Sequence, residues 1–171
     1  FNFCSSSCPI ASRCQGQYHH RTARDAGAFV DGLAPVQVLN QYGYLAADGS
    51  TAIAPRFDHA EEFTEGLAAV AIQDDDFNPK WGYIDTSGKL KIPHRFDEAM
   101  PFSDGLAAVA ILNEEHEAFW GYIDQNGRHM INFQYLEAGP FNDGQAEVTM
   151  FNADHELVPA RIDCGGNVLG G

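Results

Sequence analysis

Three groups of side chains in this 171-residue chain have the types and spacing that chemistry could use. The first is acidic. Asp74-Asp75-Asp76, Glu114-Glu115-His116-Glu117 and Asp154-His155-Glu156 recur along the chain, with Asp76, Glu115 and Asp154 each 39 residues apart. Carboxylates in such a row can hold Ca²⁺, and His116 and His155 add donors that suit Zn²⁺. Asp75, Asp76, Glu114, Glu115 and Asp154 would then line an anionic stripe. None of these segments has the spaced ligands and central Gly of a Ca²⁺ loop. The expectation is therefore solvated hairpin tips whose charge discourages edge-to-edge pairing, with no metal and no cofactor.

The second group is Cys4-x3-Cys8-x5-Cys14-x4-His19-His20, joined at a distance by Cys164. It lacks paired C-x-x-C spacing, and a zinc site would need a histidine as fourth ligand. Four cysteines, in a chain that starts at Phe1 and not at Met, point to disulfides in a processed, secreted protein. The third group would be catalytic, and its patterns are missing: the sequence has no G-x-S-x-G, no H-E-x-x-H and no P-loop. Ser5, Ser6 and Ser7 have no base near them in sequence. No catalytic residue is assigned, and the expectation is a protein that is not an enzyme.

Charge narrows the partners. The formal net charge is −14, which repels phosphate backbones and anionic headgroups, so nucleic acid and membrane are poor partners. Apolar runs such as 67–72 fall far short of the ~20 residues of a membrane-spanning helix. With 44% hydrophobic residues, including 12 Phe, the chain can build a core and is no disordered acidic tail.

The elements that position these residues repeat. Phe29-x-x-Gly32-Leu33-Ala34-x-Val36 returns as Phe63-x-x-Gly66-Leu67-Ala68-Ala69-Val70 and as Phe102-x-x-Gly105-Leu106-Ala107-Ala108-Val109. A decayed copy is Phe141-x-x-Gly144-Gln145-Ala146-Glu147-Val148. Tyr42-Gly43-Tyr44-Leu45 becomes Trp81-Gly82-Tyr83-Ile84-Asp85, then Trp120-Gly121-Tyr122-Ile123-Asp124, then Pro159-Ala160-Arg161-Ile162-Asp163, in steps of 39. Pro55-Arg56-Phe57-Asp58-His59-Ala60 recurs as His94-Arg95-Phe96-Asp97-Glu98-Ala99. A fixed period with length changes confined to loops marks a repeat architecture. Each unit reads as two or three short antiparallel strands joined by Gly- and Asp-bearing turns. One hairpin cannot bury its own aromatic face, so Trp81, Trp120, Phe63, Phe96, Phe102 and Phe141 are expected to form a core between units.

These motifs resemble the WG-repeat family of bacterial proteins, over about residues 29 to 169. Gly66 to Val70, Lys80 to Gly88 and Ile92 to Phe102 carry the resemblance most closely. The first unit departs with Tyr42 in place of Trp, the last with Pro159 and Ala160 in place of Trp-Gly. The resemblance implies an all-β open array of about four repeats; it implies interaction and surface roles and no particular reaction.

Residues 1–26 read as a Cys-rich arm and 27–171 as the WG-repeat β domain with an incomplete last repeat. The arm has three arginines against Asp25, so it is basic beside an acidic body. It would complete either its own chain, as strand exchange closes a propeller, or the next molecule, in head-to-tail growth. The preferred expectation is a secreted or cell-surface structural protein whose partner is itself, assembling into a bacterial surface filament. The alternative is a monomeric scaffold that binds another surface protein or a glycan.

Overall fold

In the computed structural model, residues 27–170 are described, and each repeat unit forms one antiparallel sheet. The first sheet holds β1 (Leu33–Val38), β2 (Gln41–Ala46) and β3 (Thr51–Phe57). The second holds β4 (His59–Ala60), β5 (Leu67–Gln73), β6 (Pro79–Asp85) and β7 (Leu90–Phe96). The third holds β8 (Glu98–Ala99), β9 (Leu106–Leu112), β10 (Ala118–Asp124) and β11 (His129–Tyr135). The fourth holds β12 (Glu137–Ala138), β13 (Gln145–Phe151), β14 (Leu157–Asp163) and β15 (Val168–Leu169). Strands adjacent in sequence are adjacent in each sheet, so every sheet is a meander. Among the described residues no helix is long and apolar enough to cross a membrane.

The repeated motifs are turn and bulge chemistry. In Phe63-Thr64-Glu65-Gly66-Leu67, Glu65 and Gly66 have φ of 52° and 82°, and Thr64 and Leu67 exchange backbone hydrogen bonds of 2.8 and 3.0 Å. Two left-handed residues in a two-residue loop match the twist of the flanking strands, which is why Gly recurs there. In the Asp-x-x-Gly turn, the Asp85 carboxylate accepts from the Ser87 and Lys89 amides at 2.9 and 3.0 Å. The shorter first unit also has a local cause. Leu39 and Asn40, with φ of 49° and 71°, turn between β1 and β2 where later units use a five-residue loop such as 74–78.

The Gly of each Trp-Gly or Tyr-Gly pair lies under a bulge. Trp81 pairs with Phe96 and Tyr83 with Ile92, so residues 93–95 of β7 oppose Gly82 alone. A Cβ on Gly82 would stand 2.5 Å from the Ile92 oxygen and 2.8 Å from the His94 nitrogen. Gly43 and Gly121 are confined in the same way. Proline fits at positions 55 and 93 because a bulge frees it from the ladder.

Alternation along the strands sends each sheet's side chains to both neighbours. Leu33, Tyr44, Ile53 and Phe57 of the first sheet pack on Phe63, Ala68, Val70 and Ile84 of the second. Tyr83, Ile92 and Phe96 pack on Phe102, Val109 and Ile123. Tyr122, Ile131 and Tyr135 pack on Phe141, Val148 and Ile162. Each of the three clusters joins consecutive sheets and none joins the first to the fourth, so the array is open. Phe63, Phe96, Phe102 and Phe141 are buried. Trp81 and Trp120 are corrected from core to margin: both are half-buried and flank their clusters. The fully buried ring of the motif is the tyrosine two residues later, at 44, 83 and 122. Trp81 faces the same neighbour as Tyr83, but at that end of the strand the next sheet contributes only the two-residue β8.

Candidate interaction surfaces

The carboxylates divide into those that hold the array and those left at its edge. One series ties unit to unit through the two-residue turns. The Gly66 amide donates to Asp31 at 3.2 Å, the Gly105 amide to Glu65 at 3.0 Å and the Gly144 amide to Asp104 at 3.0 Å. A second series is internal to a sheet: Asp58 and Asp97 accept from the Gln73 and Leu112 amides, each at 2.8 Å, while Asp97 also pairs with Lys80 of the preceding sheet. Arginine works in the same sense. Arg56 donates to the Gly88 carbonyl of the following sheet and lies over the Phe57 ring, and Arg95 donates to the Gly127 carbonyl at 2.7 Å.

The tyrosines are the third tie. The hydroxyls of Tyr44, Tyr83 and Tyr122 donate to the carbonyls of Glu61, Met100 and Gly139, each at 2.7 Å and each 17 residues on. Burial pushes all three phenols well above their ordinary range. They stay protonated and structural at any ordinary pH. The Ser87 hydroxyl holds Asp85 below the usual carboxylate range, and Asn167 does the same for Asp163. Burial lowers His94, whose Nδ1 lies 3.2 Å from the Lys80 oxygen.

At the hairpin tips, Asp74 Oδ1 accepts from the amides of Asp76 and Asn78, both at 2.9 Å. Asn113 and Asn152 cap the equivalent loops in the same way. Asp75, Asp76, Glu114, Glu115 and Asp154 remain exposed on separate tips. Among the described residues no three His, Cys, Asp or Glu side chains converge where a metal ion could be held.

Sequence reasoning missed what stands beside these acids. Ile72, Ile111, Leu112, Phe151 and Leu157, at the hairpin ends of three successive units, are all exposed. Phe77 is 80% exposed at φ 63°, where the other tips place His116 and His155. A bulky ring in the left-handed region costs backbone energy, and here no burial offsets it. The signal was legible as apolar residues recurring next to the acidic loops. A second aromatic row crosses from the first sheet to the second: Tyr42 stacks on His59 at 6.3 Å and His59 on Trp81 at 5.9 Å between ring centroids.

The fourth sheet's outer face is polar. Gln145, Glu147, Pro159 and Arg161 are exposed, at the positions of Leu106, Ala108, Trp120 and Tyr122 one unit earlier. Glu147 and Arg161 approach to 3.7 Å. The inward positions of the same strands, Ala146, Val148 and Ile162, are buried. The polar replacements Gln145, Glu147 and Arg161 are thus confined to one face, the one with no sheet beyond it among the described residues. An open groove of about 1030 Å³ runs along it, lined in part by Glu147, Pro159, Arg161 and Leu169. Cys164 is exposed with a free thiol, its sulfur 3.6 Å from the Gly144 oxygen. The disulfide candidates Cys4, Cys8 and Cys14, and the arm as a whole, lie outside the described residues.

No curated protein matches the chain. Among solved structures it is similar to a putative TolB from Agrobacterium tumefaciens, with 8% identity and a TM-score of 0.46 over 80% of this chain and 56% of that one. It is also similar to a puromycin hydrolase S511A mutant complexed with PGG, with 14% identity and a TM-score of 0.43 over 81% of this chain and 24% of that one. The chain therefore spans little more than half of the first and a quarter of the second. The repeats themselves match the family described as WG containing repeat at residues 42–74, 81–113 and 120–150. Those three segments make up more than half of the sequence and coincide with the Trp-Gly strand, its bulged partner and the following hairpin, so the chain belongs to the WG containing repeat family.

Proposed function

We propose that the chain is a non-enzymatic interaction module that binds a protein partner along its hairpin tips. The observation that carries this reading is how the polar groups are used. The recurrent carboxylates, arginines and tyrosine hydroxyls are engaged in holding turns and neighbouring sheets. What they leave at the edge is a row of exposed apolar side chains set among free carboxylates. Such an edge suits a segment that pairs apolar anchors with Lys or Arg, the anchors supplying affinity and the charges orientation. A glycan is the weaker partner, since the rings of Tyr42, His59 and Trp81 stack on one another and offer less open face. Peptides selected from a displayed library against the intact chain test the reading. Enriched sequences should combine Leu or Phe with Lys or Arg and lose affinity tenfold or more on Phe77→Ser with Ile111→Ser. Binders indifferent to those substitutions would end it.

End-to-end self-association at a cell surface is the second reading. It is favoured by the turn ladder, whose last carboxylate, Asp143, and first amide, Gly32, have no partner among the described residues. The polar outer face of the fourth sheet weighs against it, because terminal repeats with polar faces cap arrays. A secreted location and a Cys164 bond to an arm cysteine belong to this reading. Light scattering with and without reductant separates the two: large species that reductant dissolves support assembly, and a single 18.7 kDa species supports the module.

A further inference from the structure

Successive sheets touch along most of their strands and part at the hairpin tips. Alternation turns Ala107, Val109 and Ile111 of β9 towards the second sheet, and Ala108, Ala110 and Leu112 towards the fourth. The first two of each trio are exposed by 1% or less, whereas Ile111 is 37% and Leu112 41% exposed. A gap therefore opens on each side of the third tip. Ile111 and its strand partner Phe119 face Pro79 of the second sheet across one gap. Leu112 faces the half-buried Met150 and Val158 of the fourth sheet across the other. Stacked sheets lie about 10 Å apart, so the two gaps do as well.

We infer that the partner's binding element is a basic amphipathic helix laid across the tips, with two apolar side chains one heptad apart seated in these two gaps. The inference rests on the tips being a protein-binding edge and specifies what that edge takes. The backbone decides against an added strand. β9 and β10 are inner strands of their sheet, and Asn113 closes the loop between them. Its amide donates to the Glu117 carbonyl, its carbonyl accepts from the His116 amide, and its side-chain oxygen accepts from the amides of Glu115 and Glu117. Asp74 and Asn152 close the neighbouring tips in the same way. An extended segment would find few backbone groups to pair with, whereas a helix bonds its own backbone and brings only side chains. Spacing agrees. Seven helical residues rise about 10.5 Å on one face, matching the gaps, while same-face side chains of a strand fall about 7 or 13 Å apart. Charge sets the rest of the helix: Asp76, Glu114, Glu115 and Asp154, exposed on the three tips, suit Lys or Arg flanking the anchors. A second copy offers no such helix among its described residues, whose named elements are all strands.

The test selects peptides of about 18 residues, long enough as a helix to cross three tips, from a random displayed library against the full chain under reductant. Enriched peptides are synthesised and read by fluorescence anisotropy and circular dichroism. They should carry apolar residues at i and i+7 among Lys or Arg, and gain helical signal on mixing with the all-β chain. Ile111→Ser and Leu112→Ser should each weaken binding tenfold or more. Replacing one peptide anchor by Ala should abolish the effect of one substitution and keep that of the other. Peptides that need Ile111 and Leu112 but gain no helical signal, or that space their apolar residues by two, would overturn the helix and leave the tips as a binding edge. Peptides indifferent to both substitutions, or no enrichment at all, would overturn both readings. Should either serine variant fail to fold, Glu114→Gln/Glu115→Gln replaces it, since it leaves both gaps intact: a fall in affinity of threefold or more supports the basic helix, and unchanged affinity refutes it.

Discussion

Gly82→Ala puts the account of the Trp-Gly motif at risk with one added methyl. The new Cβ would lie 2.5 Å from the Ile92 oxygen, 2.8 Å from the His94 nitrogen and 2.9 Å from the Pro93 carbonyl carbon. The first is about 1 Å inside the ~3.5 Å optimum for non-bonded heavy atoms. All three are backbone atoms of the bulge, and the Pro93 ring stiffens it, so no side chain can swing aside. Overpacking costs about 1–3 kcal/mol, and each ladder hydrogen bond lost as β7 lifts away costs about 1 more. The sum is about 3 kcal/mol, or a fall of roughly 6–12 °C in Tm for a chain of this size. The matched control is Ala160→Gly, at the equivalent place in the fourth unit, where β15 reaches only Arg161 and Ile162 and, among the described residues, no strand lies over residue 160. That change should cost less than about 1 kcal/mol, the entropy of an added Gly. Urea and thermal unfolding of both variants give the comparison. A Gly82→Ala loss under about 0.5 kcal/mol, or an equal loss in both, would mean that bulge contact does not select the glycine.

Four further outcomes follow from the same contacts. Tyr83→Phe leaves the Met100 carbonyl without its 2.7 Å donor and should cost about 1–2 kcal/mol in urea unfolding, with little change of structure. Gln145→Leu/Glu147→Ala/Arg161→Tyr restores the pattern of the inner units on the fourth sheet's outer face and should make the chain associate, a change that light scattering detects; a chain still monomeric at high concentration would contradict the capping role. Asp85 and Asp163 have depressed folded pKa values, so the stability they add is present above the unfolded carboxylate range and lost as pH falls through the folded value; half-buried His94, also depressed, adds stability above about pH 6.5 that is lost on acidification. Carbon-detected NMR titration should accordingly find Asp85 moving up towards its ordinary value in Ser87→Ala. Phe77→Gly relieves a left-handed residue at an exposed tip and should raise stability by about 1 kcal/mol while weakening partner binding; no gain in stability would show that the ring is held by contacts of its own.

Sequence alone determines the period, the strands and the turns, because those features answer local demands. Glu65-Gly66 must accept two positive φ values, Asp85 must cap its own turn, and Gly82 must pass under a bulge three residues wide. These constraints act within one unit, so they recur visibly at a spacing of 39. Which residues become core is decided by neighbouring sheets. Trp81 and Tyr83 share a face and both look like core in sequence, yet only Tyr83 is fully covered, because the next sheet is deep over one and two residues wide over the other. The acidic side chains look alike as a list; folding assigns Asp31, Glu65 and Asp104 to the turn ladder and leaves Asp75, Glu114 and Asp154 at the tips. The decay of the last unit shows the same division. Gln145, Glu147, Pro159 and Arg161 read along the chain as a motif wearing away, whereas the alternation of the β strand gathers them on one face and keeps Ala146, Val148 and Ile162 on the other. A strand's period of two is visible in sequence; which of its two faces meets another sheet and which meets water depends on contacts tens of residues away, and only the tertiary structure supplies them.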